Sequence, residues 1–417
     1  MREMKTTDID WIPEMPVTWD EAPNKVLMKK KKVIIPIYDG EDILSLTMDG
    51  VIIRDLEAGG KMPTSFDGYQ KIESGNLLMC LFDYDVTPRC IGIIKQNGVT
   101  SPAYSQYVLS DIADANYYYY YYLMVDNTKE LLHLTKNMRH SFSEEDFGRI
   151  KAPIPPIDEQ KRIAAYLDSK CSEIDALTVD IQSQINTLEQ YKRSVITEAV
   201  TKGLNKDVEM KESGIPFIGA IPAHWKSDKL KYHLQRNEPR NPGEQEVLSL
   251  YRDYGIVPKD SRNDNFNVTS EDTTNYKYVR VGDFVINKMK AWQGSVAVSD
   301  YEGIVSPAYY VYKFTDDNIY RRYFHYLLRA CYKDEFMRLS GGIRVGQWDL
   351  SATALENTCI LLPPYEEQVI IADYLDDKKK DIDDAIAFKH DQLATLDAYK
   401  KSIIYEYVTG KKEVPSV

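Results

Sequence analysis

Between Pro155 and Thr201 an apolar side chain returns every seven residues, at Leu167, Ile174, Ile181, Leu188 and Val195, with Leu177 and Ile185 beside the line. A seven-residue period sustained this long predicts a helix with one apolar seam, and such a seam needs a partner helix to cover it. At 1.5 Å per residue, ~40 residues make a rod about 60 Å long. Pro155-Pro156 precedes the run and Gly203 follows it, as start and stop signals should. The pattern then returns at a constant offset of 208 residues, from Pro363-Pro364 to Thr409. Its seam is Leu375, Ile382, Leu396 and Ile403; Lys389 interrupts it, and Ile386 and Leu393 fill in beside it. Glu159, Gln160, Tyr166, Leu167, Asp168, Asp175, Tyr191, Lys192, Ser194 and Glu198 each have an identical residue at that offset. Two matching helices make an internal repeat, and their two stripes are the obvious partners, packed antiparallel.

The helices separate two blocks with a different pattern. In residues 1–154, short β-type runs at Val33–Ile37, Leu44–Met48 and Val51–Arg54 are punctuated by Asp39-Gly40 and Asp49-Gly50. Further strands are expected at Leu77–Phe82, Ile91–Lys95 and Ile150–Ile154. Trp11–Trp19 reads as a loop feeding a first strand, and Tyr117–Tyr122 as a packed helix with one wet face. Residues 205–362 follow the same plan. Ile215–Trp225 echoes Trp11–Trp19, Val279–Ile286 is a strand with a Gly282-Asp283 turn, and Ser306-Pro307-Ala308-Tyr309 repeats Ser101-Pro102-Ala103-Tyr104. Tyr320–Cys331 matches the tyrosine run, with Tyr323, Tyr326 and Leu327 set over Tyr119, Tyr122 and Leu123. The expected organisation is α+β: α/β blocks at 1–154 and 205–362, long helices at 155–204 and 363–412, a tail at 413–417, and a pseudo-two-fold repeat relating the halves.

Composition narrows the class. No run of 18 or more apolar residues exists, so no membrane span is expected. Met1–Lys5 lacks the apolar segment of a signal peptide, and five cysteines without CxxC spacing fit a reducing compartment, so the expected location is cytoplasmic. The six histidines form no ligand pair, and no metal site is expected. The net charge of −12 opposes nucleic-acid binding on its face. It is unevenly spread: residues 1–154 carry 17 basic and 23 acidic side chains, and residues 205–362 carry 21 of each.

Catalytic signatures fail on inspection. Leu362-Pro363-Pro364-Tyr365 resembles the adenine-receiving loop of amino-methyltransferases, but leucine cannot accept the adenine amino proton. Glu159-Gln160-Lys161 resembles half of a nuclease site, yet its copy, Glu367-Gln368-Val369, lacks the lysine. Neither phosphate-loop nor dinucleotide glycine motifs occur. Recognition chemistry is what is left. Lys288, Lys290, Trp292 and Gln293 put cations, an indole and an amide beside a strand end, where lysine can meet phosphate or guanine and glutamine can read adenine. A packed turn is the plain alternative. Arg252, Arg262 and Asn263 lie in a polar loop that either touches DNA or is simply solvated. Arg344 and Gln347 on one side, and Arg139 and His140 on the other, occupy similar places before the Pro-Pro stops. The Lys29–Lys32 run reads first as a solvated face.

The pattern P-P-x-x-E-Q…Y-L-D…I-D…L…Y-K-x-S-(V/I)-I…V-T, present twice, resembles the conserved regions of type I restriction–modification specificity subunits. Gly214–Trp225 and Trp11–Trp19 look like the entries to that family's target recognition domains, and Gly282–Asn287, Trp292–Gly294 and Gly303–Tyr309 are similar to one of its domain types. The resemblance implies that the chain catalyses nothing and holds no cofactor. Each block then reads one half of a bipartite double-stranded DNA site, with half-sites about one helical turn, ~34 Å, apart. The helices act as a ruler and dock two methyltransferase (M) subunits, which carry S-adenosylmethionine; restriction (R) subunits with ATP and Mg complete the assembly. The first block lacks the Trp-Gln-Gly loop, having Phe82–Asp85 nearby. A coiled-coil scaffold whose terminal domains bind proteins is the alternative that the acidic balance leaves open.

Overall fold

The computed structural model describes residues 2–57, 63–135, 140–251, 255–262, 269–270, 272–342 and 348–415. The chain divides into two compact units: Met1–Gln182 with His390–Val417, and Ser183–Lys389. Each unit therefore holds one block, the start of its own long helix and the end of the other.

In the first unit, a four-stranded antiparallel sheet runs Ile91–Ile93, Leu77–Met79, Ser105–Leu109, Met28–Lys31, and a three-stranded one runs Gly98–Thr100, Gln70–Ile72, Val33–Ile34. In the second unit the four-stranded sheet repeats that order as Val296–Val298, Phe284–Asn287, Tyr309–Phe314, Leu234–Arg236. A hairpin lies beside each, Leu44–Thr47 with Gly50–Ile53 and Leu248–Tyr251 with Gly255–Pro258. Gly98 and Gly303 are matching close approaches. A Cβ at either would sit 2.4 Å from a backbone carbonyl, that of Asp42 or Glu246. The Trp11–Trp19 segment is a strand rather than a loop over most of its length: Ile12–Pro16 pairs with Met4–Ile9, and Met15 and Trp19 point into the core.

The tyrosine helix, Ala115–Asn127, begins at Asp114, whose carboxylate accepts from Tyr117 N at 3.0 Å. It has no wet face. Tyr117, Tyr118, Tyr120, Tyr121 and Tyr122 are buried, and Tyr119 is half-buried. Burial of phenols on all sides is tolerated because the hydroxyls are paired. Tyr118 donates to Pro153 O at 2.8 Å and Tyr120 to Asp168 at 2.7 Å; Tyr121 accepts from the Trp11 indole at 3.2 Å, and Tyr122 bonds Asn24. Desolvation holds these phenols well above the usual tyrosine range.

The long helices span Ile157–Lys202 and Tyr365–Val408. Along the seam, Leu167, Ile174, Leu375, Ile382 and Ile403 are buried; Ile181, Leu188, Val195 and Leu396 are half-buried. Within each unit the two helices run antiparallel. In the first, Tyr166 packs at a tilt against Tyr407, ring centroids 4.6 Å apart, and Asp175 meets Lys400 at 2.5 Å. In the second, Lys192 meets Asp383 at 2.6 Å, and Lys389, the seam's interruption, bonds Gln184. Lys389 thus contributes a polar cross-link where a leucine would have packed. Among the described residues no helix is long and apolar enough to cross a membrane.

Candidate nucleic-acid interface

The site begins at the joints that hold each block. Gln160 is fully buried; its amide donates to Ile112 O and Pro155 O, both at 2.8 Å, and accepts from Asp114 N at 2.8 Å. Gln368 does the same, donating to Asn318 O and Pro363 O at 2.9 Å and accepting from Tyr320 N at 2.8 Å. One glutamine in each copy therefore ties the long helix's start to the start of the block's tyrosine helix. The end of the other long helix is tied as well. Tyr117 donates to Val408 O at 2.8 Å and Tyr323 to Val200 O at 3.0 Å. These carbonyls have no partner inside their helix, so the phenols satisfy what helix geometry leaves open.

The joints correct the alignment of the tyrosine helices. Tyr323 matches Tyr117, not Tyr119; Tyr326, bonded to Asp376, matches Tyr120, bonded to Asp168. The offset there is 206, the same as between Trp19 and Trp225. The glutamate before each glutamine is also spent structurally. Glu159 accepts from the Trp19 indole at 3.0 Å and pairs with Arg2 at 2.6 Å; Glu367 meets His224 at 2.8 Å.

On this frame the second block presents its loops. The Asn287–Gly294 turn leaves the strand Phe284–Asn287 and closes as a short 3-10 segment, Ala291–Gln293. Gly294 takes φ +87°, which favours glycine there. Lys288 pairs with Asp349 at 3.0 Å, and that bond holds its ammonium pKa above the ordinary value. Its carbonyl accepts from Leu350 N at 3.0 Å. Trp292 donates to Met289 O at 3.1 Å and packs edge-on to Trp348 at 5.6 Å. Met289 and Lys290 are exposed and Gln293 is half-buried. Lys288, Trp292, Trp348 and Asp349 thus form one cluster, beside the strand pair Ser340–Gly341 and Asp349–Leu350, between which Arg344 and Gln347 fall in sequence. Those two, with Arg252, Asn263 and Arg139, lie outside the described residues. Arg262 lies elsewhere, with its guanidinium 5.4 Å from the Tyr251 ring centroid.

The first block builds the same junction from different residues. Phe142 N donates to Leu81 O at 2.8 Å, as Leu350 N does to Lys288 O, so Leu81 stands in the place of Lys288. His140, at φ 42°, meets Thr135 Oγ1 at 2.7 Å and takes the place of Trp348. Residues 82–90 replace the Trp-Gln-Gly loop, with Tyr84 buried under Lys129 at 4.6 Å.

Sequence reading missed one charged group in the second block. Arg236 and Glu238 lie two residues apart near the end of the strand Leu234–Arg236, against Lys277 and Tyr310. Burial pushes the Glu238 carboxyl up, but bonds from Arg236 and Lys277 outweigh it and hold the group below its ordinary range. Burial lowers Lys277, and Arg236 and Lys288 lower it further. The i, i+2 spacing of Arg and Glu was the available signal. Among the described residues no group of three or more His, Cys, Asp or Glu side chains is placed to hold a metal ion.

Two blocks of one plan, each tied within its own unit to both long helices, define a repeated two-domain protein whose loops differ between the copies. The chain belongs to the family described as the type I restriction modification DNA specificity domain, whose pattern matches residues 81–188 and 235–396. It is similar to the type I restriction enzyme MjaVIII specificity subunit of Methanocaldococcus jannaschii, 28% identical over 289 residues, 65% of this chain and 64% of that protein. It is also similar to the putative MjaX specificity subunit of the same organism, 27% identical over 286 residues, 66% of this chain and 62% of that one. The match therefore spans a little under two thirds of either relative. Among solved structures, a chain from the complex assembly and conformational transition of a type I R-M system superposes with TM-score 0.70 at 15% identity, covering 95% of this chain and 99% of that one. The HsdS subunit of Thermoanaerobacter tengcongensis gives 0.54 at 15% identity, covering 95% and 98%. At that identity the likeness is one of fold.

Proposed function

We propose that this chain is the non-catalytic DNA-specificity subunit of a type I restriction–modification complex, each block reading one half of a bipartite duplex site. The observation that carries this is the family match over both blocks, together with joints of the same design in both units. One glutamine–tyrosine frame holding two unlike loop sets suits two different half-sites. The long helices set the gap between them and dock two M subunits. Tyr191 and Tyr399, repeated at the 208-residue offset and 52% and 53% exposed, lie on the surface available for that docking. S-adenosylmethionine belongs to the M subunits, and ATP and Mg to the R subunits. The complex works in the cytoplasm, where the DNA is. Phosphate charge is met locally, by Lys288, Lys290 and their neighbours in the second block, and otherwise by partner subunits, since the first block is acidic.

The experiment is methylome sequencing of cells carrying this chain with its M subunit. A split motif with a constant gap is expected. Methylation spread evenly over adenines, or over a continuous motif, would overturn the reading.

A further inference from the structure

We infer that Arg236 is a specificity-determining residue of the second block and reads a guanine in its half-site; this deepens the proposed function and rests on it. Its geometry is that of an arginine prepared for a base edge. Glu238 grips the guanidinium side-on, Oε1 to Nε at 2.9 Å and Oε2 to Nη2 at 2.9 Å. Nη2 donates to Oε2 while Nε lies at ion-pair distance from Oε1, so the carboxylate faces the Nε–Nη2 edge of the group. Tyr310 supports that plane from below, its ring centroid 4.6 Å from Arg236 Cζ. Arg236 pairs in register with Tyr312, so Tyr310 is its diagonal neighbour on the same sheet face. Glu238 is itself held, by Lys277 Nζ at 3.0 Å, and Lys277 Nζ also bonds Tyr309 O. A chain of supports therefore runs from the Ser-Pro-Ala-Tyr turn to the guanidinium.

What the supports leave outside the fork is the useful part. The carboxylate covers the Nε–Nη2 edge and accepts one proton of Nη2. The end-on edge, Nη1 and the outer proton of Nη2, keeps two parallel donors. Guanine O6 and N7 present two matching acceptors in the major groove. Arg236 keeps 43% side-chain exposure, whereas Glu238 and Lys277 are at 18% and 14%. The reading head is thus accessible and its props are not. The group adjoins the Lys288 loop through one turn: Lys288 N donates to Ala308 O at 3.2 Å, and Lys277 Nζ donates to the next carbonyl, Tyr309 O. Glu238 is shared between Arg236 and Lys277, so the group keeps one net positive charge, and a phosphate contact is the competing outcome that the test separates. The first block lacks the device. Lys30 holds the matching register position opposite Tyr107, and Gln70 donates to Tyr104 O where Lys277 donates to Tyr309 O. The two half-sites should accordingly differ at this position.

The test selects bound duplexes from a randomised pool with the full chain in complex with its M subunits, wild type and Arg236→Lys, and sequences them. Arg236→Lys keeps the stem and charge but not the fork, and its thermal melt should match wild type within a few degrees. The expected result is a guanine in one half-site whose preference drops by a factor of roughly 10 or more in the variant, the other positions unchanged. Arg236→Ala should lose the same guanine. If the wild-type motif survives intact in both variants, Arg236 reads nothing. If affinity falls evenly over all sequences and the salt slope shrinks by about 1, the group is a phosphate contact, and the inference fails while the proposed function stands. A wild-type pool with no motif at all overturns the proposed function, and this inference with it.

Discussion

Gln160 and Gln368 show how much one side chain can decide. Each bonds three backbone groups, of which one, the carbonyl of Pro155 or Pro363, is buried and the other two are part-buried. Gln160→Leu keeps the volume and strands those groups, and each buried unpaired group costs about 1–3 kcal/mol. A loss of about 1–3 kcal/mol in urea unfolding is expected, whereas an exposed helix residue such as Gln190 should tolerate leucine. His325 gives a pH-dependent prediction. Burial, then Arg329 and Lys379, pushes its pKa to about 3, and its Nδ1 accepts from Val298 N at 3.3 Å, which requires the neutral ring. The folded pKa lies below the ordinary histidine value of about 6.5, so between the two the unfolded chain binds the extra proton. Stability from this group is complete above pH ~6.5 and declines as pH falls toward the folded value, by at most about 1.4 kcal/mol per pH unit. His325→Gln should flatten that part of the acid limb in urea titrations from pH 7 to 5. An unchanged acid limb would remove the histidine from the account.

At the scale of elements, the helix ends carry the tightest constraint. Gly203 and Gly410 both take left-handed backbone, at φ 71° and 72°, just past their helices. A Cβ at Gly410 would lie 2.5 Å from Pro16 and 2.9 Å from Trp19; at Gly203 it would lie 2.9 Å from the Glu367 carboxylate and 3.2 Å from Trp225. Strain alone costs alanine about 1 kcal/mol at such a position. Gly410→Ala adds a clash with a rigid proline and a buried tryptophan, while Gly203→Ala meets the far end of a flexible side chain. Thermal melts should therefore rank Gly410→Ala as the worse of the two. Both long helices were legible as sequence because a seven-residue period is a local pattern. The tyrosine helix was legible as a helix, but its exposure was not. Six identical residues have no periodicity, and only packing reveals that five of the six phenols are buried and how their hydroxyls are paired.

At the scale of the whole molecule, the two unlike blocks should be separable under the proposed function, in which each reads one half-site. Replacing Trp292 and Gln293 together by alanine should alter the motif in one half-site only, read by methylome sequencing. Changes in both halves would mean that the loop acts through the frame. The fold class, the repeat and the list of absent catalytic motifs all followed from residue order, because identity at a constant offset and apolar spacing are properties of the chain itself. The place of Lys288 beside Asp349, and the role of Lys389, did not. Nor did the register of the tyrosines, which sequence matching set two residues off. Those depend on side chains meeting across separations such as Lys288 to Asp349, Gln184 to Lys389 and Tyr117 to Val408, where a two-residue shift turns a side chain toward a different neighbour on a helix. Arg236 is the clearest case. Its sequence neighbourhood reads as an ordinary polar strand end. Only tertiary structure brings Tyr310 under it and Lys277 behind Glu238, and so turns a common residue into a fixed pair of donors.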